Sequence, residues 1–245
     1  MNAKVSAKER MIINQVRTST VSVIALFLVT GWIFLSFAQV PPSPTEMSRY
    51  TGLLAAAARG DTAQIKVLIA KGEKPDVTDS YRRTPLHVAA YGGYHEAMRV
   101  LVAAGANPNA LENDRYDIVT IAAVANDVPT LKVALSVGGS AKNITSRYDG
   151  TALIAAAHLG YTEVVQTLVR AGAPLDHINN LGWTALTESI VLGDGGNRHT
   201  DTLRALVEAG ANVNLADRNG QTPLSLARSR GYGEMAAILQ AAGGH

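Results

Sequence analysis

The feature that most constrains this chain is a seven-residue phrase, Thr84-Pro85-Leu86-His87-Val88-Ala89-Ala90, whose frame returns five more times. The other copies begin at Thr51, Asp117, Thr151, Thr184 and Thr222, so the steps run 33, 33, 34, 33 and 38 residues. A period this regular over most of a 245-residue chain is the signature of a stacked repeat array. Each copy has a second half, clearest in Leu101-Val102-Ala103-Ala104-Gly105-Ala106-Asn107 and echoed at Leu168-Val169-Arg170-Ala171-Gly172-Ala173 and Leu206-Val207-Glu208-Ala209-Gly210-Ala211-Asn212.

The chemistry of the unit predicts a helical hairpin. Thr or Asp at the first position can cap a helix through its side-chain oxygen. Proline at the next position fits the first turn, where its missing N–H would have had no partner. Leu86, Ala89 and Ala90 fall on one helical face, with alanines small enough for neighbouring helices to approach closely. Gly105, Gly172 and Gly210 are placed to close the second helix in a left-handed conformation. One hairpin cannot bury its apolar face alone, so stability must come from stacking. The copies are unequal: the third has Asp117, lacks the Leu-His pair and carries Pro129, and is expected to be the weakest. The fifth holds five extra residues within Leu192–His199, expected as a surface loop, and the first and last look like terminal caps.

On these residues the chain resembles the ankyrin-repeat family. The resemblance implies an all-α solenoid of six helix-turn-helix repeats, over about 48–78, 79–111, 112–145, 146–178, 179–216 and 217–245, within a domain spanning 48–245. It also implies a structural role for His87 and recognition of another protein through turn tips and inner helices. Carried over by position, the partner-binding candidates are Tyr81, Arg83, Tyr91, Tyr116, Arg147, Tyr148, His158, Trp183 and Arg218. Of only 13 aromatic residues in the chain, five stand at these positions, and Tyr, Trp and Arg are the usual hot-spot residues of interfaces. Some exported bacterial members are associated with peroxide protection and others resemble immunity proteins that block a toxin, so the resemblance implies either role. A monomer is expected.

Residues 1–38 have a different character. Lys4, Lys8, Arg10 and Arg17 precede an apolar run from Val21 to Phe37, and Ser36-Phe37-Ala38 before Gln39 fits a signal-peptidase site. The segment reads as a signal peptide or an uncleaved membrane anchor, with the repeats on the periplasmic or outer side in both cases. Met11 is an alternative start that leaves this topology unchanged. Residues 39–47, with Pro41, Pro42 and Pro44, read as a short stiff spacer.

Apart from this leader, 18 basic residues face 19 acidic ones, which gives no reason to expect a nucleic-acid ligand. The absence of cysteine excludes disulfides, thiol catalysis and cysteine-based zinc sites. His95, His158, His177, His199 and His245 show no metal-ligand spacing and read as solvated surface. No metal, cofactor or catalytic residue is expected. Gly193, Gly195 and Gly196 lack the Lys-Ser or Lys-Thr of a phosphate loop, and Asn143-Ile144-Thr145 matches a glycosylation acceptor.

Overall fold

The computed structural model describes residues 40–245. Among them are thirteen helices: α1 (Pro44–Arg49), α2 (Gly52–Ala58), α3 (Thr62–Ala70), α4 (Pro85–Tyr91), α5 (His95–Ala103), α6 (Ile118–Val124), α7 (Val128–Ser136), α8 (Ala152–His158), α9 (Thr162–Arg170), α10 (Ala185–Val191), α11 (Asn197–Glu208), α12 (Pro223–Ser229) and α13 (Gly233–Ala241). The leader and its candidate cleavage site lie outside the described residues.

From α2 onward the helices alternate between two layers. First helices α2, α4, α6, α8, α10 and α12 pack side by side, and second helices α3, α5, α7, α9, α11 and α13 form the layer behind them. The repeated caps start the first layer as the sequence predicts: the side chains of Thr84, Asp117, Thr151, Thr184 and Thr222 each accept a hydrogen bond from the amide three residues on. Thr51 departs from the pattern. Its side chain makes no cap bond, and Glu73 Oε2 accepts from the Leu53 amide instead, at 3.0 Å. Gly105, Gly172 and Gly210 all have positive φ, closing their helices. The buried set is largely alanine and leucine, with Ala56, Ala89, Ala122, Ala156 and Ala227 all at or below 1% exposure in equivalent places. Small residues there let the first helices touch backbone to backbone.

Successive repeats are joined through short fingers ahead of each cap. In each finger a backbone bond closes a tight turn: Asp79 to Arg83, Glu112 to Tyr116, Thr145 to Gly150, Asn179 to Trp183 and Asp217 to Gln221. Asp79, Glu112, Ser146, Asn179 and Asp217 each accept two finger amides on one side-chain oxygen. Neighbouring fingers are laced together by Asn113 N–H to Tyr81 O, Ser146 N–H to Arg115 O and Asn180 N–H to Tyr148 O.

Two expectations need correction. The region read as a spacer runs into α1: Ser43 and Glu46 form a reciprocal capping box, and Pro44 occupies the first helical turn, where a missing amide costs nothing. The insertion in the fifth repeat is only partly a loop, because Asn197, Arg198 and His199 lengthen α11 to 12 residues against nine in the other second helices. In the third repeat, expected to be the weakest, Asp117 takes the Thr120 amide at 2.8 Å, and Ile118 through Ala123 are all buried.

Candidate protein-recognition face

The fingers and the exposed side of the first-helix layer carry the residues singled out for partner binding, and the structure sorts them by access. Tyr81 is 42% exposed at the second finger, with the Arg83 guanidinium 4.6 Å from its ring centre. Arg147 and Arg218 are exposed, the first pairing with Asp114. Tyr91, Tyr148 and Trp183 are half-buried and keep part of each ring on the surface. Val124, Leu159, Val191 and Leu192 add partly exposed apolar surface on the first helices between them.

Arg83, Tyr116 and His158 are different. At 1%, 3% and 4% exposure all three are buried, Tyr116 and His158 inside the stack and Arg83 beneath Glu46 of α1, so none offers contact area while α1 is in place. Arg83 donates to Glu46 Oε1 at 2.6 Å and to Asp79 Oδ2 at 2.7 Å, while the Tyr50 hydroxyl donates to the same Asp79 oxygen at 2.6 Å. The Ser43 hydroxyl and amide, and then this guanidinium, hold the Glu46 carboxyl down to about 2. Burial pushes the Tyr116 phenol up to about 12. Arg83 and Tyr116 stand immediately before their caps and turn inward, whereas Trp183 at the same position is half-buried and Gln221 exposed, a difference that residue spacing alone does not reveal.

Sequence reasoning missed Arg82 and Arg115. Both are exposed, and both sit two residues before the cap in the left-handed region, with φ of 59° and 65°. The equivalent residues in the fifth and sixth repeats are Gly182 and Gly220, which adopt this conformation without a Cβ penalty. The signal was present as a contrast between copies. Arg115 reaches Asp149 at 3.0 Å, and Asp149 is itself left-handed, with φ of 52°.

Four histidines expected at the solvated surface are bonded into the structure. His95 Nε2 meets Thr130 Oγ1 at 2.8 Å, and His177 Nε2 meets the Asp149 carbonyl at 2.6 Å. His158 Nδ1 lies 3.3 Å from Glu188 Oε2, and the other carboxyl oxygen accepts from Asn179 Nδ2 at 2.9 Å. His199 bridges Asp194, at 2.9 Å, and the carbonyl of His158, at 3.0 Å. His245 is exposed. His87 takes the structural role that the resemblance implies: Nε2 lies 3.0 Å from the Ala110 carbonyl and 3.3 Å from that of Tyr116, while Nδ1 meets the Thr84 amide at 3.1 Å. Donation from Nε2 leaves Nδ1 to accept, which requires the neutral ring. Burial moves its pKa in the same direction, below the ordinary histidine range.

The two acid–histidine pairs lie in the seam between the fourth and fifth repeats. Glu188 is fully buried and His158 nearly so, while in the second pair Asp194 is exposed and His199 buried. Among the described residues no group of three or more His, Cys, Asp or Glu side chains could hold a metal ion. The glycosylation match is also structural: Asn143 Nδ2 donates to Asn109 and Asp117, and Thr145 is 1% exposed. Among the described residues no helix is long and apolar enough to cross a membrane.

This geometry is that of a helical repeat array with a finger-lined first-helix face. The chain matches the family profile described as ankyrin repeats in three copies over residues 33–112 and 119–216, and that of ankyrin repeats in many copies over 196–240. It belongs to the ankyrin-repeat family. It is 40% identical over 102 residues to the ankyrin-repeat protein YahD of Escherichia coli, a match covering 41% of this chain and 51% of YahD. The chain thus matches about half the length of that relative. The crystal structure of an ankyrin-repeat domain from Acinetobacter baumannii shares 41% identity at a TM-score of 0.74, covering 79% of this chain and 98% of that one. The ankyrin-repeat protein EF0377 follows at 28% identity and a TM-score of 0.69, covering 78% and 98%. Proteins built of these repeats generally bind other proteins and are not enzymes.

Proposed function

We propose that this protein is an exported binding module that holds a periplasmic protein partner non-covalently on its fingers and first-helix face. The observation that carries the reading is the set of accessible aromatic and arginine side chains there, Tyr81, Tyr148, Trp183, Arg147 and Arg218, beside partly exposed Val124, Leu159 and Val191. Large rigid rings gain contact area at low entropic cost, and guanidinium groups add directed hydrogen bonds. Export is supported by the basic residues ahead of Val21–Phe37 and by Ser36-Phe37-Ala38. Cleavage after Ala38 gives a free periplasmic protein, and retention of the segment gives a tethered scaffold facing the same side.

Two experiments test the reading. A reporter active only outside the cytoplasm, fused after His245, should give signal, and N-terminal sequencing of the mature protein decides between the free and tethered forms. Alanine at both Tyr81 and Trp183 should weaken capture of a co-purifying periplasmic protein by about 2 kcal/mol or more per residue while melting barely moves. Signal only from a cytoplasmic reporter refutes export. Capture unchanged in the double variant refutes the face.

A further inference from the structure

The first-helix face is not open along its whole length. Residues 41–49 cross its beginning, over α2 and α4, and this strap is held in an unusual way. No residue of α1 is buried, Met47 is 37% exposed, and beneath the strap an unfilled space of about 280 Å³ separates Pro41, Pro42 and Met47 from Ala58, Val88 and Tyr91. Six residues are too few for a helix to persist on its own in water. What fixes the strap is buried Pro42, the Ser43–Glu46 capping box, the Tyr50 hydroxyl on Asp79, and one carboxylate, Glu46, on Arg83. If Glu46 leaves, Arg83 keeps Asp79 as a partner, so removing the strap strands no buried charge.

The strap also shows what the face accepts: apolar side chains laid on the first helices, with a carboxylate reaching a finger arginine. The same surface continues beyond it through Val124, Leu159 and Val191, with Arg147 and Arg218 on the fingers. We propose that the strap, residues 41–49, is a displaceable self-ligand. It occupies the first part of the recognition face until a partner segment of like chemistry, apolar with a carboxylate placed to meet Arg83, exchanges with it. The idea rests on the binding role proposed above, but its test needs no natural partner. A tethered ligand acts at high effective concentration, so a free segment competes poorly until the tether's own contact is weakened.

The test uses a dye-labelled peptide of sequence Val40–Tyr50, added to the full chain and followed by fluorescence anisotropy. Glu46→Gln in the protein removes the carboxylate and keeps the shape, and Ser43→Ala loosens the cap as a second, independent variant. Both should melt as folded proteins and bind the peptide about tenfold or more tighter than the unaltered chain, because the competent fraction rises. A peptide carrying Gln in place of Glu46 should lose about tenfold of that gain. Hydrogen exchange on the complex should show new protection on α2 and α4. Equal binding to altered and unaltered proteins, equal binding of the two peptides, no binding to the folded variants, or protection elsewhere would each overturn the proposal. None of these outcomes touches the reporter or partner-capture experiments, so the binding role stands or falls separately.

Discussion

The second and fifth repeats satisfy their buried polar groups in opposite ways. In the second, His87 serves its own cap at Thr84 and bonds to backbone carbonyls of the next finger, at Ala110 and Tyr116. Any neighbour with a similar main chain would do. In the fifth, the histidine position is Thr187, and Glu188 brings a carboxyl into the core, where it meets His158 of the fourth repeat and Asn179 of its own finger. The inserted segment then joins in, through His199 on the His158 carbonyl and Tyr232 on the Gly193 carbonyl. The difference is one of interchangeability: the second repeat is built to a general pattern, whereas the fifth fits only these neighbours.

The sharpest way to break the comparison is Asn179→Asp. The second and sixth repeats have Asp79 and Asp217 at this position, and all three side chains accept two finger amides. In the fifth, the amide nitrogen also donates to Glu188, so a carboxyl here would face a carboxyl, a juxtaposition that disfavours charging either group. The change should cost about 3–5 kcal/mol in chemical denaturation, the range for leaving a buried charge uncompensated. Adding Glu188→Ala should recover part of the loss. A silent Asn179→Asp, or strict additivity in the double variant, would show that the cluster is not coupled.

Next in size is His87→Ala, which leaves the Thr84 amide and the Ala110 and Tyr116 carbonyls short of a partner and should cost about 1–3 kcal/mol. Thr187→Ala in the fifth repeat should cost less, because its hydroxyl bonds only to Thr184. Equal losses would erase the distinction between the two repeats.

A smaller effect of opposite sign is expected at the finger tips. Arg82→Gly and Arg115→Gly relieve a left-handed side chain, which costs about 1–2 kcal/mol, against the backbone freedom that glycine adds. Each should raise stability slightly, by about 0.5–1 kcal/mol, with Arg115 gaining less because its bond to Asp149 is lost. A drop in melting temperature would mean that the fingers depend on those guanidiniums.

The smallest change in global stability should come with acid. The Glu46 carboxyl titrates near 4.5 when unpaired and about 2 in the fold, so its contribution is complete above the first value and is lost as pH falls through the second. Asp79 moves the same way, through its bonds to the Tyr50 hydroxyl and to Arg83, which outweigh its burial. Glu112 has the opposite sign, raised by burial, and offsets part of the loss as it protonates. Hydrogen exchange of α1 should therefore quicken between pH 4.5 and 2 before α8 and α10 respond.

Most of the architecture was legible because each repeat carries its own start and stop signals, and local backbone chemistry obeys them. The α1 signal was legible too, since Ser43 and Glu46 stand at capping-box spacing, but the surrounding prolines outweighed it. Burial at the candidate face was not. Arg83 and Tyr81 are two residues apart in one finger, yet one is sealed by Glu46 and Asp79 and the other stands 42% exposed. That outcome depends on a residue 37 positions away in the chain. The Glu188 cluster was hidden for the same reason, with its three members drawn from two repeats and a finger.

An array of near-identical units has an assembly problem that other folds lack: during folding, one hairpin can stack on the wrong copy with little loss of contact. The extended α11 supplies an address. A unit docked one step out of register would leave His199 without the His158 carbonyl and Tyr232 without that of Gly193, two bonds that no other pair of repeats reproduces. The five additional residues therefore number the repeats, and the count is kept by counting from the fifth.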